Sequence, residues 1–212
     1  MASIAKGSDA PDAKAVAAVE ARATKMAPSQ TAVRGLFTGG TFCYEAQLAF
    51  LDRGLACSSN APAHGATQYN GTSGGHVFLD LGDDDYTRGR PHPMIDPLQR
   101  NEALRAHAAD PATAVLLFDV VLGYGAHADP APELAQTLRE AAAQARAQGR
   151  ALALVGHVCG TDADPQGKSR QVDELTAVGV VVAASNFEAA LLAAAIARER
   201  AGVTRQSSGT AR

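Results

Sequence analysis

The stretch Val33-Arg-Gly-Leu-Phe-Thr-Gly-Gly-Thr-Phe-Cys-Tyr-Glu-Ala46 decides the fold class, because it joins a short apolar run, a glycine turn and a helical pattern. The same arrangement recurs at Gly82-Asp-Asp-Asp-Tyr-Thr-Arg-Gly-Arg-Pro-His-Pro-Met-Ile-Asp-Pro97, which follows an apolar run at 76–81 and leads into another helical pattern. Strands that alternate with helices are typical of a parallel α/β sheet. We expect the two loops to meet in the crevice at the carboxyl ends of the strands, where such sheets bind ligands.

The alternation continues along the chain and predicts an α/β fold with three αβα layers. Right-handed crossovers favour a flavodoxin-like, doubly wound, five-stranded parallel sheet in the order 2-1-3-4-5. Residues 55–75 are rich in Gly, Ser and Asn and lack periodicity, so we predict a long loop that is either functional or mobile. The predicted strands are 33–37, 76–81, 114–119, 151–155 and 179–183, and the predicted helices are 42–53, 97–109, 130–148, 169–177 and 186–199.

Three segments are expected along the 212 residues. Residues 1–30 are polar and Ala-rich with only a thin apolar stripe, which indicates a mobile or docking amino-terminal arm. Residues 31–200 are long enough for one flavodoxin-fold domain with a buried core. Residues 201–212 are predicted to form a disordered tail.

Composition excludes several classes of protein. The formal net charge of −3 and the pI near 6.0 argue against a nucleic-acid partner. No apolar run is long enough for a bilayer, and the first thirty residues lack the apolar segment of a signal peptide, so we expect no membrane partner.

Three cysteines without a CxxC pair fit reduced thiols and a cytoplasmic location. Cys43 starts a predicted helix, which would lower the pKa of its thiol, but a plain buried thiol is the favoured interpretation.

Several strings resemble a known superfamily. Gly40-Thr-Phe-Cys-Tyr-Glu-Ala46 resembles the Ser-Gly-Thr-Leu-Thr-Tyr-Glu-Ala turn in the carboxy-terminal ligase-CoA domain of the succinyl-CoA synthetase alpha subunit, and Asp110-Pro-Ala-Thr-Ala-Val-Leu-Leu117 resembles a strand start of that domain. Three further strings resemble the FdrA branch of the superfamily. The resemblance as a whole covers roughly residues 31–198. These strings are Arg88-Gly-Arg-Pro-His-Pro-Met-Ile-Asp-Pro97, Leu122-Gly-Tyr-Gly-Ala-His-Ala-Asp-Pro130 and Gly156-His-Val-Cys-Gly-Thr-Asp162.

The sequence departs from the superfamily at the residues that carry phosphate. The synthetases have a transiently phosphorylated histidine in the loop after the fourth strand, but residues 161–170 contain no histidine, and His157 lies earlier, at the strand end. The glutamate that supports the phosphohistidine falls on or beside Val120, with Asp119 one residue away. We therefore do not expect a phosphohistidine on this chain.

The FdrA resemblance implies a subunit or domain of a multi-subunit carbamoyl or acyl transferase, similar to oxamate carbamoyltransferase, that binds a small carboxylate or phosphate anion. Two alternatives remain open. The first is a succinyl-CoA ligase-like acyl-CoA synthetase subunit that works with a separate CoA-binding chain. The second is a non-catalytic scaffold subunit.

The resemblance also implies partners. Because no part of the sequence resembles the superfamily's CoA-binding Rossmann half, we expect that half and other enzyme subunits as partners, and an activity that is incomplete on this chain alone. No cofactor is expected on the chain itself. Carbamoyl phosphate, or CoA and a nucleotide, would be bound through partner subunits, and a homo-oligomer remains open.

The first candidate site is an anion site. Gly39, Gly40 and Thr41 lie at a strand-to-helix turn, where free helix N–H groups favour an anion, although a tight turn alone also requires small residues. Arg88 and Arg90 are candidates for a bidentate contact with the same anion. The alternative is that both arginines neutralise the acidic run at 83–85 on a solvated loop.

His92 is the main catalytic candidate, because the prolines on either side stiffen its backbone and imidazole suits acid–base work. A structural histidine remains an alternative. Asp119 and His157 are expected at strand ends facing the same crevice, and His157 could equally be a near-core histidine. Asp96 is interpreted as a helix N-cap. His127 and Asp129 lack the ligand spacing of a metal site, so no metal is predicted.

Two other classes share this fold. A receiver domain requires an acidic pair after the first strand and a lysine after the fifth, and this sequence has neither. A flavodoxin requires a hydroxyl-rich phosphate loop and stacking aromatic residues, and Tyr124 is the only well-placed aromatic. Neither class fits.

Overall fold

Seven strands form one sheet in the computed structural model, which describes residues 11–72 and 74–209. All recorded strand pairs are parallel, and the order is β3-β2-β4-β1-β5-β6-β7. The strands are β1 (Ala32–Phe37), β2 (Cys57–Ser59), β3 (Thr67–Gln68), β4 (His76–Asp80), β5 (Thr113–Val121), β6 (Ala153–Cys159) and β7 (Val181–Ala183). The helices are α1 (Ala13–Ala23), α2 (Gly40–Leu51), α3 (Asp84–Thr87), α4 (Leu98–Ala109), α5 (Pro130–Ala147), α6 (Lys168–Ala177) and α7 (Asn186–Gly209).

The predicted α/β architecture is confirmed. The five predicted strands correspond to β1, β4, β5, β6 and β7, and these lie in the predicted order 2-1-3-4-5. The strand count was wrong, because the segment predicted as a loop at 55–75 adds β2 and β3 at the edge of the sheet. Strands of three and two residues, which are paired by backbone hydrogen bonds and carry polar side chains, show no apolar periodicity in a sequence.

Helices cover both faces of the sheet, as predicted. On one face, α1, α2 and α7 pack on side chains such as Phe37, Leu117 and Val155. On the other face, α4, α5 and α6 pack on side chains such as Leu116 and Phe118. The buried surface of α7 is mostly alanine, and small side chains let this helix lie close to the sheet and to α2.

The described part of the predicted arm is a helix that contacts the domain. Val19 and Ala23 of α1 are fully buried, and α1 packs against α7. The Arg200 guanidinium donates to the carbonyls of Gln30 (3.0 Å) and Ala27 (2.7 Å), which joins α7 to the segment after α1. The helix α7 continues beyond residue 200, where a tail is predicted, and residues 1–10 and 210–212 lie outside the described residues.

Within residues 11–72 and 74–209, no helix is both long and apolar enough to span a bilayer.

Candidate functional site

The first loop, residues 38–41, follows β1 and passes directly into α2. Thr38 is buried, whereas Gly40 and Thr41 are exposed to solvent. Gly39 is the N-cap residue of α2 and has no side chain with which to cap it. The first N–H groups of a helix lack partners within it and carry the positive end of its dipole. The exposed turn therefore has the electrostatic character that an anion requires.

Asp119 of β5 holds the first loop in place. Thr38 donates to its carboxylate from the backbone nitrogen (2.6 Å to Oδ1) and from the hydroxyl (2.8 Å to Oδ2), and the Gly39 nitrogen donates to Oδ2 at 3.0 Å. Burial raises the pKa of Asp119, while the hydrogen bonds from Thr38 act in the opposite direction. Both carboxylate oxygens are thus used by the loop. We assign Asp119 a positioning role, which differs from the catalytic role predicted for it.

Asp80, the last residue of β4, lies against the exposed end of the first loop. A Cβ on Gly40 would lie 2.5 Å from Oδ2 of Asp80, so only glycine allows this approach. Oδ1 of Asp80 accepts a hydrogen bond from the Gly82 nitrogen at 2.9 Å. Burial raises the pKa of this carboxyl group. Sequence reasoning missed Asp80, although a charged residue at the carboxyl end of an otherwise apolar strand was an available signal.

His92 of the second loop, residues 82–97, reaches the same place. A Cβ on Gly82 would lie 2.5 Å from Nε2 of His92, 2.9 Å from the carbonyl oxygen of Thr38 and 3.2 Å from Oδ1 of Asp80. Nδ1 of His92 accepts a hydrogen bond from the Met94 nitrogen at 3.2 Å. The neutral ring therefore carries its proton on Nε2 and presents a donor beside Asp80.

His157 of β6 lies on the other side of the first loop, because β4 is next to β1 in one direction along the sheet and β6 lies beyond β5 in the other. Its Nδ1 is 3.1 Å from the Ala183 carbonyl oxygen, which places the proton on Nδ1 and leaves the lone pair on Nε2. The ring is 8% exposed and packs edge-on against Phe42 at 6.0 Å between centroids. The structure therefore brings His157 close to the start of α2 but not into the group around His92.

Arg88 and Arg90 face solvent instead of the first loop. The Arg88 guanidinium is 4.0 Å from the Asp85 carboxylate, and both side chains are more than 80% exposed. Arg90 lines a surface groove of about 320 Å³ together with Asp96 and Glu102. No hydrogen bond or ion pair among the described residues joins either arginine to the first loop.

The loops after β5 and β6 are tied together by three side chains that the sequence interpretation did not use. The Gln166 side chain exchanges hydrogen bonds with the backbone of Gly123 (3.1 and 3.0 Å). Arg170 contacts both oxygens of Asp129 (2.9 and 3.1 Å), and Gln171 donates to the same carboxylate at 2.9 Å. The hydrogen bond from Arg170 lowers the pKa of Asp129. These contacts hold the loop after β6 against the loop after β5.

The remaining candidates are structural. Burial raises the pKa of Cys43 to about 12, which makes it an inert thiol despite its position in the first turn of α2. The N-cap of α4 is Pro97 and not Asp96 as predicted; Asp96, one residue earlier, accepts from the Leu98 nitrogen at 3.0 Å. Among residues 11–72 and 74–209, no group of three or more His, Cys, Asp or Glu side chains is arranged to hold a metal ion.

Comparison with known proteins found a matching family and a similar bacterial protein. The sequence model described as CoA-ligase matches residues 36–196, a range that includes the first and second loops and β4 to β7. The chain is also 42% identical over 172 residues to the uncharacterized protein YahF of Escherichia coli (strain K12). That alignment covers 80% of this chain and 33% of the relative, so the chain spans about a third of the length of the relative it matches.

Proposed function

The chain belongs to the CoA-ligase family, with a domain like that of the succinyl-CoA synthetase alpha subunit, and from this we propose that it is the ligase-type domain of an acyl-transfer enzyme. In this proposal the crevice between the first loop and His92 binds the carboxylate or phosphate group of a small substrate. CoA is bound by a further domain or by a partner subunit.

One observation carries the proposal. Three polar groups from different segments converge above Gly82: the Thr38 carbonyl, the Asp80 carboxylate and Nε2–H of His92. The exposed amino terminus of α2 lies directly beside them. An acyl-transfer site requires N–H donors for an oxyanion and a group that exchanges protons, and this crevice offers both.

The CoA-binding partner is proposed from family membership and from chain length. The chain matches about a third of the curated relative, which leaves room in that protein for additional domains. The substrate, the partner subunits and the activity of a whole enzyme are all parts of the proposal. A homo-oligomer is compatible with it.

A finer proposal is the FdrA type of reaction, in which a carbamoyl or acyl group is transferred without a phosphohistidine on this chain. The observation that favours it lies in residues 161–170, where the synthetases have their histidine. Asp164 accepts from the Thr161 nitrogen at 2.6 Å, and Asp162 accepts from the Ser169 nitrogen at 2.6 Å. The loop is thus closed by its own carboxylates and contains no histidine that phosphate could occupy.

Phosphate trapping distinguishes the two reactions. The chain, purified together with its partner subunits, is incubated either with ATP labelled on the terminal phosphate or with labelled carbamoyl phosphate, under conditions that preserve phosphohistidine. We expect no acid-labile label on this chain and activity that depends on a small carboxylate. An acid-labile label on this chain would support the synthetase mechanism and contradict the FdrA type. Full activity of the complex with a His92→Ala chain would instead support a scaffold.

Replacing Gly40 with valine is expected to weaken the binding of inorganic phosphate about tenfold to a hundredfold, or roughly 1.4–2.7 kcal/mol. The new side chain would meet the Asp80 carboxylate and cover the first N–H groups of α2. Isothermal titration calorimetry on the folded variant measures the change.

Gly74→Val is the matched control, because no atom lies within 4 Å of a Cβ at that position. Arg90→Ala tests the rival placement of the anion. A large loss of affinity in Arg90→Ala together with normal affinity in Gly40→Val would move the site to the groove lined by Arg90.

A further inference from the structure

The backbone of Asp80 is held by a residue twenty positions earlier. The Asn60 side chain donates to the Asp80 carbonyl at 3.0 Å and accepts from the Asp80 nitrogen at 2.8 Å. Asn60 follows the last residue of β2, so its amide takes the place of the next strand residue in the sheet. The short edge strand that the sequence did not reveal therefore ends in a clamp on Asp80.

The Asp80 carboxyl group faces the anion site. With the backbone held by Asn60, Oδ1 accepts from the Gly82 nitrogen and Oδ2 lies over Gly40, in the first turn of α2. A second anion at this turn would lie beside Asp80. Two like charges at such a separation disfavour each other, and the usual outcome is that one of the two groups binds a proton.

The charged and titratable groups around Asp80 leave few other candidates for that proton. Asp83, at the start of α3, and His92 act electrostatically on Asp80. In α2, burial raises the pKa of the Cys43 thiol, and the negative charges of Asp80 and Asp119 raise it further. The thiol therefore stays neutral. Asp119 already accepts three hydrogen bonds from the first loop. Nδ1 of His92 already accepts a hydrogen bond from the Met94 nitrogen.

We propose that Asp80 takes up a proton when a carboxylate or phosphate binds to the first loop, and that the neutral carboxyl group then donates a hydrogen bond to an oxygen of the ligand. The inference rests on the anion site of the proposed function. Burial already raises the pKa of Asp80, so part of the cost of protonation is met before the ligand arrives. Because coupling is reciprocal, anion affinity must depend on pH through Asp80.

Sulfate is the probe, because it remains a dianion across the pH range in which carboxyl and imidazole groups titrate. Its affinity for the full chain is measured by calorimetry from pH 5 to pH 8. Between the pKa of Asp80 in the free chain and its higher pKa in the complex, wild-type affinity is expected to fall by about tenfold for each pH unit. Asp80→Asn, which keeps an acceptor for Gly82 and gains a permanent donor, is expected to bind with a nearly flat pH profile. At pH 8 it should bind sulfate more tightly than the wild type does.

Two further variants isolate Asp80 from its neighbours. Asp83→Asn preserves the capping oxygen that accepts from the Asp85 nitrogen and should retain the wild-type pH slope. His92→Gln keeps an N–H donor but removes the imidazole titration, and it should retain the slope as well. Loss of the slope in His92→Gln with its retention in Asp80→Asn would overturn the proposal and assign the proton to His92.

The outcomes separate this inference from the proposed function. Sulfate binding without pH dependence in the wild type overturns proton uptake at Asp80 and leaves the anion site intact. Absence of sulfate binding at every pH, in a chain that is folded by circular dichroism, overturns the anion site and the inference with it. Proton uptake, measured in two buffers of different ionisation enthalpy, must equal about one proton per sulfate at pH values above the Asp80 pKa, and proton release would contradict the proposal.

Discussion

Replacing Asp119 with alanine is expected to lower the free energy of unfolding by roughly 4 kcal/mol, because each buried donor left without an acceptor costs about 1–3 kcal/mol. The donors are the nitrogen and hydroxyl of Thr38 and the nitrogen of Gly39. Asp119 and Thr38 are both buried, so water cannot replace the carboxylate without opening the loop. Urea denaturation followed by far-UV circular dichroism measures the change, with the slope of the transition checked for constancy.

The matched control is Asp162→Ala. Asp162 accepts from the nitrogen and hydroxyl of Ser169, at 2.6 and 2.8 Å, just as Asp119 accepts from those of Thr38. The difference is exposure, because Asp162 is in solvent and water can satisfy the released donors. Asp162→Ala should therefore be far less damaging. Equal losses in the two variants would show that burial of the Asp119 contacts has no energetic consequence. Asp119→Asn, which keeps one acceptor oxygen, should lie between them.

A fall from pH 7 to pH 4 is expected to lower the free energy of unfolding by roughly 3 kcal/mol through His76 alone, since one unit of pKa shift is worth about 1.4 kcal/mol. His76 is the first residue of β4, and its Nδ1 accepts from the Val33 nitrogen at 3.1 Å. The ring packs edge-on against Phe50 at 5.3 Å between centroids. Burial, and then the Arg34 guanidinium, lower the pKa of His76 from 6.5 to about 4.

The direction of the pH effect depends on whether the unfolded or the native state protonates His76 at the higher pH. As the pH falls below 6.5, the unfolded chain protonates His76 while the native state does not until about pH 4. The stabilisation is therefore fully present above pH 6.5 and is lost progressively as the pH falls towards 4. Protonation of Nδ1 also removes the acceptor for the Val33 nitrogen and adds a cation near Arg34.

Because carboxyl groups titrate in part of the same range, the readout is the difference between wild type and His76→Asn. The asparagine oxygen can replace Nδ1 as an acceptor but does not titrate. Between pH 6.5 and pH 4, the free energy of unfolding of His76→Asn should therefore fall less than that of the wild type, and the difference should be most of the predicted value of about 3 kcal/mol. The exposed residue His64, replaced in the same way, serves as the control and should leave the profile unchanged. Identical profiles for wild type and His76→Asn would contradict the prediction.

The sequence alone predicted the α/β class, the five central strands and their order. These features depend on local pattern: apolar runs make strands, capped amphipathic segments make helices, and right-handed crossovers leave few arrangements. The first loop and His92 were also placed in one crevice from sequence, because both follow strands that end at the same edge. The resemblance to the succinyl-CoA synthetase superfamily needed only motif strings, and the match to the CoA-ligase family confirmed it at that level.

The tertiary structure alone decided which polar side chains face the crevice. Arg88 and Arg90 looked suitable for an anion, yet they turn to solvent beside acidic neighbours. Asp80 ends an otherwise apolar strand and was not used as a site residue, and its partner Asn60 lay in a segment without periodicity. The apolar pattern of the sequence predicts helices and strands, because these elements depend largely on residues that are close together in the sequence. The direction of a loop side chain depends instead on distant partners, on burial and on the charges they bring, which no local pattern encodes.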